Sequence, residues 1–229
     1  MMDLLAFARG PGLKYAMFVF VFGILWRLIG VLLLAAKVDR SEPRHTASWK
    51  GLRLIVLRLW PRREFLQRTA AIQILGYAFH IGFLVVLVFY LPHVLFFEDV
   101  FKGLLGTNLH GLLGVSWPYL PGGVIMMAGT VTVAALVALL VHRLVSPVKR
   151  LLSNFDDYFS WLATTAPLVT GMMAYSHVGP PYQTMLAMHI LSVELLLLWF
   201  PFGKLMHAFT IVISRAVTGM EFERKGAAL

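Results

Sequence analysis

Histidine is the side chain that this sequence places where chemistry would need it. The chain carries eight histidines and no cysteine. Four of them, His80, His93, His189 and His207, fall within or at the edge of long apolar runs, where an ionisable side chain is costly and is by default functional. The others, His45, His110, His142 and His177, lie in loops or at helix ends, where water or headgroups solvate them. A neutral imidazole offers one nitrogen lone pair to a metal, and haem iron held by two histidines needs one imidazole on each face of a flat macrocycle. In helical bundles such ligands come from facing helices. Thirteen residues separate His80 from His93 and eighteen separate His189 from His207, or about 20 and 27 Å of helix. In antiparallel segments, His80 then meets His207 at one depth and His93 meets His189 at another, giving two haem sites. Eighteen residues is five full turns, so His189 and His207 share a face of a continuous helix. Thirteen leaves His93 off the face of His80 unless Pro92 turns the helix end. A lone membrane histidine serves equally well as a hydrogen bond between helices; four of them at two depths favour haem.

The elements that position these residues must lie in lipid. Of 229 residues, 59% are hydrophobic and 14% charged, and the mean hydropathy is +0.78, more apolar than one soluble core can hide. A bilayer core takes about 20 apolar residues per helix. Five runs are predicted to cross it: Tyr15 to Ala36, Ala70 to Phe97 with a late kink at Pro92, Val124 to Val145, Tyr158 to Tyr175 with an interruption at Pro167, and Gln183 to Val217 past Pro201. The fold expected is an all-α membrane bundle of five transmembrane helices forming one domain over 1–229, with a basic loop at 38–69 and an opposite loop at 98–123. Little room is left for a separate soluble domain, so a catalytic domain is expected on another chain. The absence of cysteine excludes a Cys-ligated iron–sulfur cluster, a disulfide, a thiol nucleophile and covalent C-x-x-C-H haem attachment.

Lysine and arginine set the orientation, because cytoplasmic loops carry their excess. Nine of the 20 lie between Lys37 and Arg68, three around Arg143, Lys149 and Arg150, and four at Lys204, Arg215, Arg224 and Lys225, against Arg9, Lys14 and Lys102 on the other side. The N-terminus is therefore expected outside and the C-terminus in the cytoplasm, in a multi-pass protein of the inner (cytoplasmic) membrane. That orientation also makes the first apolar run a retained helix rather than a signal peptide. The net charge of +9 then serves topology, anionic lipid or an acidic partner rather than nucleic acid. Between Trp49 and Trp60, Leu52, Ile55, Val56 and Leu59 fall at helical spacing, as in a helix lying in the headgroup plane. It serves either as a docking surface for a cytoplasmic partner or as a lipid-anchored connector.

Three stretches carry a family resemblance: Phe79-His80-Ile81-Gly82-Phe83-Leu84; Arg143-Leu144-Val145-Ser146-Pro147 followed by Asp156-Asp157-Tyr158; and His189 through Pro201-Phe202-Gly203-Lys204-Leu205-Met206-His207. From the second helix onward the chain resembles the cytochrome b, or gamma, subunit of respiratory nitrate reductases and related membrane subunits of heterodisulfide-reductase-like and sulfite-reductase-associated complexes. The resemblance implies haem b, with His80 and His207 as axial ligands of a cytoplasmic-side haem and His189 as one ligand of an outer haem. The family's second histidine on the second helix lies ten residues after the first, where this chain has Tyr90. Either His93 takes that place after a change of helix path, or the outer haem is ligated differently or missing. A basic residue that helps hold quinone in the family has no counterpart in Gly122 to Met127.

Together these features predict an electron-transfer subunit that works between membrane quinone and a cytoplasmic iron–sulfur or catalytic partner, and is not a complete enzyme alone. The competing expectation is a haem-free transporter or assembly protein whose histidines bind protons or a metal. Proton relays ordinarily use several acidic residues, whereas the spans offer Glu194 and, at a helix edge, Asp156 and Asp157.

Overall fold

Backbone in lipid must satisfy its own hydrogen bonds, and a helix does so within one segment. The computed structural model describes residues 3–34, 42–44, 52–57, 59 and 63–227, and contains no strand among them. Helix α1 covers Leu4–Leu33 and includes a π-helical turn at Ala8–Gly12 that contains Pro11. The short α2, Arg53–Leu57, is followed by α3, Arg63–Phe89, and α4, Leu91–Leu105. Then come α5 (Leu109–Leu113), α6 (Gly122–Val145), α7 (Pro147–Leu152), α8 (Phe155–Tyr175) and α9 (Tyr182–Trp199). A 3-10 turn at Lys204–Met206 leads into α10, His207–Lys225.

Among the described residues, four helices are long and apolar enough to cross a membrane: Leu4–Leu33, Glu64–Phe89, Gly122–Val145 and Tyr182–Trp199, with hydropathies of 2.4, 2.2, 2.6 and 1.3. The protein is thus an all-α, multi-pass membrane protein. Its apolar side chains face outward, with Trp26 70% and Leu33 78% exposed, as lipid solvation requires. Packing runs α3 on α6, α6 on α8, α8 on α9 and α9 on α1. Small residues bring the backbones together, as is usual between membrane helices. Gly82 of α3 lies against Thr132 and the Ala128 carbonyl of α6, where a Cβ would collide. At one end, α10 packs on α2, which buries Leu54 and leaves Leu52, Val56 and Leu59 exposed. The rest of the expected amphipathic stretch, with His45, lies outside the described residues.

Four expectations need revision. Helix α8 is not interrupted at Pro167 but runs through it from Phe155 to Tyr175. The first helix starts at Leu4 rather than Tyr15. The second run does not kink at Pro92 but breaks: Tyr90 is extended (φ −76°, ψ 124°) and Pro92 sits in the first turn of α4. A proline has no N–H to donate and its ring crowds the preceding turn, but it suits a helix start. The fifth run is likewise two helices, α9 ending at Trp199 and α10 starting at His207, with Pro201 and Gly203 between them. The 98–123 loop contains the end of α4 and all of α5, with Trp117 stacked on Phe97 at 5.8 Å.

Candidate functional site

Both helix breaks lie beside a histidine, and together they decide what the four imidazoles face. His80 and His207 meet with ring centroids 6.1 Å apart and planes at 82°. His93 and His189 meet at the same centroid distance, 6.1 Å, with planes at 17°. The four residues thus form two pairs, in the partnership that antiparallel segments imply. They face one another across a space in which α3 and α9 are not closely packed. The His80 and His207 side chains are exposed, and those of His93 and His189 half-buried.

Each ring is held in the same way. His80 Nδ1 lies 2.7 Å from the Gly76 carbonyl and His207 Nδ1 2.8 Å from the Lys204 carbonyl. His93 Nδ1 lies 3.0 Å from the Val86 carbonyl and His189 Nδ1 3.0 Å from the Pro167 carbonyl. A carbonyl oxygen only accepts, so in all four rings Nδ1 carries a proton, and in the neutral imidazole Nε2 is then the nitrogen with the free lone pair. This is the tautomer of a metal-ligating histidine, oriented by its second nitrogen.

The two breaks supply two of these acceptors, Val86 at the end of α3 and Lys204 in the turn before α10. Breaking α3 at Tyr90 strips the last carbonyls of their intrahelical partners. The Val86 carbonyl accepts from His93, the Val88 carbonyl from Trp117 Nε1 at 3.0 Å, and the Phe89 carbonyl from the Leu120 N–H at 2.9 Å. His93 therefore owes its direction to the break rather than to helical phase. Tyr90 stands edge-on to His93 at 5.1 Å and to Tyr175 at 6.1 Å, so it walls the pair. On the opposite side, Gly171 lets His189 approach α8: a Cβ there would lie 3.0 Å from imidazole Cε1 and 3.1 Å from Nδ1. Ser192 Oγ donates to the His189 carbonyl at 2.7 Å and lies 3.0 Å from Thr170 Oγ1.

The Lys204 carbonyl that orients His207 is itself fixed by α8. Asn154 and Asp157 form a capping box at its N-terminus. Asp156 accepts the Lys204 N–H at 2.9 Å and the Ser160 hydroxyl at 2.7 Å, while Trp199 Nε1 donates to Ser160 at 3.0 Å. Asp157 pairs with Arg143 at 3.0 Å and with Lys204 Nζ at 2.5 Å. Burial alone would raise the Asp157 carboxyl. The Lys204 and Asn154 hydrogen bonds and the two cations outweigh it and hold the group below the usual carboxylate range. The acidic pair thus serves as an anchor for the turn that carries His207, a role that sequence spacing does not reveal.

The donor set fits bis-histidine haem iron. With a metal–nitrogen bond of about 2 Å and about 1 Å from that nitrogen to the ring centre, imidazoles on opposite sides of one iron have centroids about 6 Å apart. Of the remaining histidines, His110 and His177 are exposed. His142 Nδ1 is buried without a hydrogen-bond partner among the described residues.

A protein from Nitratidesulfovibrio vulgaris is 32% identical to this chain over 228 residues, covering 96% of this chain and 94% of its own length, and its name describes no activity. No family model matches the sequence, and no solved structure matches it.

Proposed function

The chain belongs to the family of that Nitratidesulfovibrio vulgaris protein, and we propose that it is a membrane cytochrome b subunit. It carries electrons between the quinone pool and a cytoplasmic iron–sulfur or catalytic partner through two b-type haems. The observation that carries this reading is the pair of facing imidazole couples, each with centroids 6.1 Å apart and each Nδ1 committed to a backbone carbonyl. A naked ion ordinarily takes three or four protein ligands. Two imidazoles suffice for haem because the macrocycle supplies the other donors.

Haem, when bound, supplies the one-electron redox chemistry. The chain's own residues do the rest. His80 and His207 would hold one iron and His93 and His189 the other, each through Nε2, with the ring oriented by the carbonyl on Nδ1. Gly171, Tyr90 and Tyr175 shape the second site. The apolar helices keep water away and set a low dielectric. With the basic loops placed in the cytoplasm, the His80–His207 site lies toward that side and the His93–His189 site toward the outside. Residues from Tyr158 onward in α8 make the fifth crossing, and the two sites lie in series across the bilayer.

The test is optical. Protein purified after haem-supplemented expression is expected to show reduced-minus-oxidised b-type bands and a pyridine-haemochrome stoichiometry of two per chain. Colourless protein refutes the reading.

A further inference from the structure

Glu194 is not used by either histidine pair. It lies five residues after His189 on α9, turned about 140° away from it, and is 7% exposed within a membrane-spanning helix. Its Oε1 is fully buried and has no hydrogen-bond partner among the described residues. A carboxyl group in hydrocarbon without a partner is costly to keep. The group lines a cavity of about 360 Å³ between α9 and α1, whose other walls include Phe7, Pro11, Tyr15 and Leu198.

That cavity lies at the π-helical turn Ala8–Gly12. Such turns are uncommon inside helices and recur at functional sites, because they shift the backbone by one residue. Here the shift brings Gly12 against the carboxyl, so that a Cβ would stand 2.8 Å from both oxygens. Tyr15, which also lines the cavity, is 69% exposed, on a helix whose surroundings are lipid. The cavity is therefore open to the membrane, lined by apolar and aromatic groups, and provided with one buried acceptor.

We infer that this cavity binds the ring of a membrane-dissolved hydroquinone, with Glu194 accepting a hydrogen bond from one ring hydroxyl. An apolar slot with a single polar group suits a flat ring that is apolar apart from its hydroxyls. A lipid chain would leave the carboxyl unpaired. The choice of ligand rests on the exchange with quinone proposed above. The site is on the far side of α9 from the His93–His189 pair, and it needs no basic residue at the start of α6.

Photolabelling of the full-length protein in nanodiscs with an azido-naphthoquinone tests this directly. Label is expected on peptides covering 7–16 and 191–199, displaced by a short-chain naphthohydroquinone. Glu194→Leu, which removes the acceptor, and Leu198→Trp, which fills the slot and leaves the carboxyl, should each reduce competable labelling about tenfold. Label mapped elsewhere, such as beside His142, or undiminished in either folded variant, or not displaced by hydroquinone, overturns the assignment. Haem bands recorded on the same samples separate the two readings. Bands without label in the cavity sink this inference alone, and label without bands sinks the haem reading alone.

Discussion

Replacing Asp156 by alanine is the sharpest test of how the His207 ring is held, because Asp156 touches no histidine. Its carboxylate accepts the Lys204 N–H at 2.9 Å, and the neighbouring carbonyl of the same residue receives the His207 Nδ1–H at 2.8 Å. Removing the carboxylate loosens the turn between α9 and α10, which then keeps the Lys204 Nζ contacts to Asp157 and Asn154, and so weakens the orientation of the ring. Hydrogen bonds to a charged group contribute about 1.5–3 kcal/mol when buried. Asp156 is only half-buried, which reduces this to about 1–2 kcal/mol after screening. Because the bond is in place without haem, its loss reaches haem affinity only through the cost of re-ordering the turn on binding, so that energy is an upper bound and the affinity of the His80–His207 site is expected to fall by up to about five- to thirtyfold. The assay is haem titration of purified apoprotein, followed through the bands of the two sites and compared with wild type and Asp156→Asn, which retains one acceptor and should be intermediate. Helicity by circular dichroism controls for folding. Equal binding at both sites, or selective loss at the His93–His189 site, refutes the anchoring argument.

Other perturbations reach the remaining parts of the site. His93→Ala should halve the haem content while Tyr90→Phe leaves it unchanged; the reverse pattern in pyridine-haemochrome assays would make Tyr90 the ligand. Pro92→Ala lets α3 continue, which returns the Val86 carbonyl to the helix and turns His93 away, so haem at the His93–His189 site should fall with the other site unaffected. Asp157 contributes stability that is present above the ordinary carboxylate value of 3.8 and is lost as pH falls through its lower folded value. Thermal melts should therefore show wild type above Asp157→Asn at neutral pH and the two converging below about pH 4. A difference that persists in acid would mean that the ion pairs with Arg143 and Lys204 are not its source.

The helical class and the membrane location were legible because they follow from bulk properties, the length of apolar runs and the scarcity of charge. Which histidines meet was legible because an antiparallel pair of segments reverses depth. Angular relations were less so. The five-turn argument for His189 and His207 assumes one straight helix, yet the chain breaks between Trp199 and His207 and the ring arrives through the Lys204 turn. His93 looked out of phase with His80 for the same reason. Breaks at Tyr90 and Phe200 depend on prolines whose effect, kink or stop, is decided by whether nearby groups cap the freed carbonyls. Trp117 and Leu120, more than 25 residues downstream, perform that capping, and no local pattern announces it. The part played by Asp156 and Asp157 is likewise long-range, since Lys204 is 48 residues from Asp156. The π-turn opposite Glu194 has one local signal, Pro11 between two glycines.

The break at Tyr90 also bears on how such sites are counted along a chain. In an unbroken helix each inserted residue turns everything beyond it by about 100°, so the distance between two ligands is locked to a few permitted values. A break absorbs insertions, and the ring beyond it is aimed by whichever freed carbonyl it meets. The interval between His80 and its downstream counterpart can then change length without moving the second imidazole out of place. A search pattern with a fixed gap passes over such a chain, whereas one that looks for a histidine one residue past a proline that follows the break finds it.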